Sequence, residues 1–143
     1  MKQVAAFLRL DFLPRSTDVG LLVLRLWIGL TMLLLHGWDK LANFEGYSKK
    51  FIGLFGLSQS FSLGLAVFAE LFCSALLVLG LFTRFAALNL VITMCVAFFI
   101  AHKGALKGES SGEMAFLYLA TYVTLLIAGP GKFSADAKMG GKV

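Results

Sequence analysis

Four apolar runs, parted by short polar breaks, limit what this chain can fold into. They predict membrane-spanning helices at about residues 19–36, 61–82, 85–102 and 113–128. Crossing a bilayer takes about 20 predominantly apolar residues at ~1.5 Å each. The first three runs fall in that range, and the fourth spans by recruiting flanking residues or by thinning the bilayer locally. Composition excludes the soluble alternative, since 59% of the 143 residues are hydrophobic and 15% charged, where a soluble domain carries about 25% charge. The expected fold is all-α: one integral membrane four-helix bundle over residues 1–143, with a short interfacial helix between the first and second spans and no room for a second domain.

The segments outside the spans fit the same picture. Lys2, Arg9, Asp11 and Arg15 alternate with Phe7, Leu8, Leu10, Phe12 and Leu13 before Pro14 and the first span. No small-residue cleavage site follows a short apolar core there, so an interfacial helix is expected rather than a removed leader. Residues 44–57 are too few to span, and Phe44, Tyr47, Phe51, Leu54 and Phe55 recur at helical spacing with Lys49 and Lys50 opposite, as in a surface helix. An even number of spans puts both termini on one side. That side carries seven cations (Lys2, Arg9, Arg15, Arg84, Lys132, Lys138, Lys142) against five opposite (Lys40, Lys49, Lys50, Lys103, Lys107). The positive-inside rule then expects cytoplasmic termini. A net charge of +5 suits anionic lipid headgroups, and no basic run points to nucleic acid.

Two charges lie deep inside these runs, Glu70 in the second and Arg25 in the first. A charge in hydrocarbon is costly and needs a partner or a proton. Arg25 lies eleven residues before His36, ~16 Å from that end of its helix, and Glu70 nine residues after Phe61, ~14 Å from the same end. Antiparallel neighbours would bring them level, so an Arg25–Glu70 pair is the expected buried polar centre and candidate catalytic pair. The alternative for Arg25 is to snorkel to nearby headgroups. His36, Lys40, His102 and Glu113, with Asp39, fall at the far ends of three spans and make up the expected ligand-binding mouth. Such groups can hydrogen-bond a quinone headgroup and pass its protons. A metal is the alternative occupant, and none is assigned.

Smaller features complete the expectations. Gly37 is read as letting the first span end at His36-Gly37-Trp38-Asp39-Lys40. Asn89, Thr93, Ala97 and Ala101, in steps of four, suit close packing and interhelical hydrogen bonds. Cys73 and Cys95 read as two small buried hydrophobes rather than a redox pair, since neither lies in a Cys-x-x-Cys motif. Gly129-Pro130-Gly131 stops the fourth span. Beyond it an ordered turn is expected, with Asp136 near Arg84 or capping a short helix after Ser134, and a frayed end at 139–143.

These residues carry a resemblance. Leu24-Arg25, His36-Gly37-x-x-Lys40-Leu41, Glu70 followed by Leu79-Gly80-Leu81-Phe82-Thr83-Arg84, then His102 and Gly129-Pro130-Gly131-x-x-Ser134-x-Asp136 resemble the DoxX family of membrane proteins over residues 24–136. The resemblance implies a four-helix protein of the bacterial inner membrane. The family takes its name from subunits of a thiosulfate:quinone oxidoreductase, and its members are commonly labelled oxidoreductases. The expected function is therefore a small membrane subunit of a redox system, interacting with quinone or passing electrons with a partner protein or a second copy of itself. The alternative is a non-catalytic scaffold or assembly factor, with the buried pair fixing helix register. No glycine-rich dinucleotide loop or haem-attachment motif identifies a cofactor, so enzymatic activity stays open.

Overall fold

The computed structural model describes residues 2–141. Seven helices follow in order: α1 (Lys2–Leu8), α2 (Thr17–Ala42), α3 (Phe44–Ser48), α4 (Gln59–Leu79), α5 (Thr83–Ala101), α6 (Glu113–Ala128) and α7 (Ala135–Lys138). Helices α2, α4 and α5 are long and apolar enough to cross a membrane, and α6 is a shorter apolar helix of 16 residues. The chain is an all-helical, multi-pass membrane bundle.

Local chemistry sets the ends of these helices. Ser16 Oγ accepts from the Val19 amide at 3.2 Å to start α2, and Ser58 Oγ accepts from the Phe61 amide at 3.2 Å to start α4. At the other end of α4 the chain turns at Gly80, whose φ of +67° is open to glycine. The Gly80 amide donates to Leu77 and the Leu81 amide to Leu76, at 3.1 and 2.9 Å, satisfying the last carbonyls of the helix. The core runs along the facing sides of α4, α5 and α6 through Leu77, Leu90, Tyr122 and Leu125, with Ala86 and Ala87 fully buried where α5 meets α6. Trp27, Leu79, Ile92 and Ile127 point outward, as lipid-facing residues do.

Three helices carry a π turn: Leu33–Gly37 in α2, Phe68–Cys73 in α4 and Val96–Ala101 in α5. Each inserts a residue into the helical register, a feature enriched at functional sites. The first two pack against each other.

One end of the bundle gathers the start of α2, the α4–α5 turn and the tail after α6; we call it the termini end and its opposite the loop end. The Lys132 amide donates to Asp18 Oδ1 at 3.0 Å, and the Asp136 amide to the Gly80 carbonyl at 2.9 Å. Ser134 Oγ accepts from the Ala137 amide at 3.1 Å, so the short helix after Ser134 is present and Ser134 caps it. The Asp136 carboxylate does not go to Arg84. It accepts from the Phe82 and Thr83 amides at 2.7 and 2.9 Å, while Arg84 Nε donates to the Leu126 carbonyl at 3.1 Å. Of the end expected to fray, the Gly141 amide donates to the Asp136 carbonyl at 2.9 Å, and residues 142–143 lie outside the described ones.

Three expectations are corrected at the level of elements. Helix α2 does not end at Gly37, where φ and ψ are −65° and −49°; it continues to Ala42. The surface helix expected over 44–57 is confined to Phe44–Ser48; residues 49–58 follow as turn and loop, with left-handed φ at Phe55 and Gly56. The Asn89–Thr93 seam makes no interhelical hydrogen bond: Asn89 Nδ2 donates to Phe85 and Thr93 Oγ1 to Asn89, both within α5.

Candidate functional site

Helices α2 and α4 run antiparallel, and glycines set their register. A Cβ on Gly29 would meet Val78, one on Gly37 would stand 2.6 Å from the Glu70 carbonyl carbon and oxygen, and one on Gly80 would collide with the Arg25 guanidinium. Gly37 thus lies level with Glu70, and Arg25 with Gly80. Lys40, one turn beyond Gly37, reaches Glu70 instead of Arg25 doing so: Lys40 Nζ lies 2.5 Å from Glu70 Oε2. Both side chains are largely buried, at 17% and 7% exposure. In that low-dielectric setting the two charges offset each other's desolvation.

The Arg25–Glu70 pair expected from the sequence is therefore not formed. The depth comparison failed because α2 extends to Ala42. Measured from there, Arg25 lies seventeen residues in, ~26 Å, whereas Glu70 lies eleven residues from Gln59, ~17 Å. Arg25 is fully buried at the termini end, where Nη2 donates to the Phe133 carbonyl at 2.7 Å and Nη1 to the Leu77 carbonyl at 3.3 Å. Asp136 is the counter-charge in electrostatic range. Arg25 does not snorkel; it ties the tail to the end of α4.

A cavity of about 430 Å³ opens beside the Lys40–Glu70 pair, between α4, α5 and the loop over residues 49–58. Its polar groups are Lys40, Glu70, Lys50, His102, Ser62 and Thr93; its walls include Phe51, Leu54, Leu65, Ala66, Val96 and Ala97. Ser62 Oγ accepts from the Leu54 amide at 3.0 Å, fastening the loop to α4. His102 Nδ1 lies 3.0 Å from the Ser110 carbonyl, which fixes the ring at the end of α5. A second depression of about 370 Å³ on the outward face of α2, against Trp27 and Leu30, has Thr31 as its one polar side chain and no charge.

The sequence-identified groups thus separate. Lys40, Glu70 and His102 line one cavity. His36 is not among the lining residues: it packs edge-on against Tyr118, ring centroids 5.7 Å apart, within electrostatic range of Lys40 and Glu70. Glu113 is exposed at the start of α6, and Asp39 accepts from the Tyr47 hydroxyl at 2.5 Å, a bond that pushes the phenol's pKa up. Sequence reasoning missed Lys50 and the loop walls, which fell in a stretch read as a surface helix. It also missed that Thr93, Ala97 and Ala101 border a cavity rather than a helix. The steps of Gly29, His36 and Lys40 along one helical stripe held the signal for Lys40, had the helix not been ended at Gly37. Among the described residues no three His, Cys, Asp or Glu side chains gather around a metal position. Cys73 and Cys95 are both free thiols.

A buried Lys–Glu pair beside an apolar cavity offers one proton donor and one acceptor to a ligand head, with space for apolar substituents. Fold and site define a multi-pass membrane protein with a cavity at one end of its bundle. The DoxX family model matches residues 20–103, from α2 through the end of α5, and the chain belongs to the DoxX family. An uncharacterized protein of Haemophilus influenzae is 34% identical over 113 residues, 75% of this chain and 81% of that protein. Another uncharacterized Haemophilus influenzae protein is 34% identical over 73 residues, 50% of this chain and 48% of its own length. No solved structure matches.

Proposed function

We propose that the chain is a quinone-binding membrane subunit of a redox system, set in the bacterial inner membrane with both termini cytoplasmic. The carrying observation is the Lys40–Glu70 pair beside the cavity of about 430 Å³, a volume within the usual range for small-molecule sites. A quinone ring accepts hydrogen bonds at its carbonyl oxygens and, once reduced, donates them from its hydroxyls. Lys40 supplies the donor and Glu70 the acceptor, with His102 as a second hydrogen-bonding group at the same cavity. Reduction of a quinone to a quinol takes up two electrons and two protons. A partner oxidoreductase supplies the electrons, and the ion pair lies where protons are exchanged.

The test is equilibrium binding of ubiquinone and menaquinone analogues to the purified protein in lipid nanodiscs. Glu70→Gln and Lys40→Met should each weaken binding by about tenfold, the equivalent of one charge-assisted hydrogen bond. His36→Ala should have a smaller effect than either, because that ring packs against Tyr118 and does not line the cavity. Absence of binding would contradict the proposal and leave the pair the register-fixing role of a membrane scaffold.

A further inference from the structure

We infer that the cavity opens sideways, between α4 and α5, into the lipid leaflet at the loop end, so that its ligand is a single-chain amphiphile drawn from the bilayer, its head at Lys40–Glu70 and its chain leaving past Leu65, Ile92 and Ile100. The inference rests on the quinone reading of the site and adds the route and the shape of the ligand.

Six large apolar cavity-lining residues also face outward: Leu65, Ile92 and Ile100 on α4 and α5, at 47%, 55% and 40% exposure, and Ile52, Phe55 and Leu57 on the loop. A side chain that lines a cavity and faces outward stands at its opening. The first three belong to helices long and apolar enough to span, so the opening runs from the loop onto the outward side of α4 and α5. Ile92 lies nine residues before Ala101, ~14 Å from that end of α5. An opening at that depth meets hydrocarbon rather than headgroups or water. Water-soluble molecules do not arrive from there, whereas an apolar chain does.

The lining between opening and ion pair suits one chain. Thr93 and Ala97 on α5 and Ala66 on α4 leave a channel walled by small side chains. The Thr93 hydroxyl is spent on the Asn89 carbonyl at 2.9 Å, so it offers no donor for a polar group to seek. The polar side chains that can hold a head stand beyond this apolar stretch, at Lys40 and Glu70, with Lys50 and His102 at the loop end. On the loop side, half-buried Phe51 and Leu54 line the cavity, exposed Ile52, Phe55 and Leu57 stand at its rim, and the Leu54–Ser62 hydrogen bond fastens this segment to α4. Apolar opening, apolar channel and polar terminus, in that order, match an amphiphile entering chain-last.

Two photoreactive probes test this in nanodiscs: a decyl benzoquinone with a diazirine on the ring, and the same molecule with the diazirine at the chain end. The ring probe should label α2 or α4 near Lys40 and Glu70, and the chain probe the segment around Leu65 or Ile92–Ile100, both competed by unlabelled decyl benzoquinone. Ring labelling in place with chain labelling on residues 49–58 or 103–112 would overturn the sideways route while leaving the quinone site standing. Loss of competed ring labelling would overturn the quinone site and the route together. Ala97→Leu supplies a second readout: it should weaken decyl benzoquinone by about tenfold and leave the same ring without its chain unaffected. Equal loss for both compounds contradicts the inference.

Discussion

A methyl group at Gly37 would stand 2.6 Å from the Glu70 carbonyl carbon and oxygen and from the Leu71 amide nitrogen. These are backbone atoms inside a helix and cannot step aside, so α2 and α4 would have to part where Lys40 meets Glu70. Overpacking of this kind costs about 1–3 kcal/mol. Gly37→Ala should therefore lower thermal stability in detergent and weaken quinone binding together, although Gly37 itself does not line the cavity. Gly64→Ala is the control: nothing lies within 4 Å of its Cβ position, and the helix gains about 0.5–1 kcal/mol from losing a glycine. Equal effects of the two substitutions would contradict the close approach at Gly37. The sequence made Gly37 visible as a glycine but not why it is one. Glycine serves both helix termination and helix contact, and only the partner helix decides between them.

At the scale of elements, the turn between α4 and α5 depends on residues far along the chain. Phe82 sits at a left-handed φ of +47°, which costs a non-glycine residue roughly 1–2 kcal/mol. The Asp136 carboxylate offsets this by accepting from the Phe82 and Thr83 amides at 2.7 and 2.9 Å. Arg25 joins the same assembly through the Leu77 and Phe133 carbonyls. Asp136→Ala should cost about 1.5–3 kcal/mol, the usual worth of hydrogen bonds to a charged group, and Asp136→Asn less. Amide hydrogen exchange should quicken over residues 82–86 and stay unchanged at the start of α4. Uniform quickening along the chain would contradict a local role. The spans were legible because apolar runs of that length permit little else, and the tail's order was legible in Pro130, Ser134 and Asp136. The partner of each charge was not, because partners depend on register, and register depends on helix ends that a glycine in mid-helix disguises.

The whole molecule has two unlike ends. At the termini end, Arg25, Asp18 and Asp136 bind the tail to α2 and to the α4–α5 turn; at the loop end, Lys40, Glu70 and His102 border the cavity. With cysteines placed singly at Arg15, Lys138, Lys49 and Lys107 in a Cys73→Ala, Cys95→Ala background, a membrane-impermeant thiol reagent applied to spheroplasts should reach the last two and not the first two. Labelling of Arg15 and Lys49 from one side would contradict the topology. The central claim is that Glu70 is paired with Lys40 beside the cavity and not with Arg25 across the bundle. Two double-mutant cycles, read by thermal unfolding in detergent, address it most directly: Lys40→Met with Glu70→Gln, and Arg25→Met with Glu70→Gln. The first should show a coupling of about 0.5–3 kcal/mol, as contacting residues do, and the second should be additive within about 0.5 kcal/mol. Coupling between Arg25 and Glu70, with Lys40 and Glu70 additive, would contradict it.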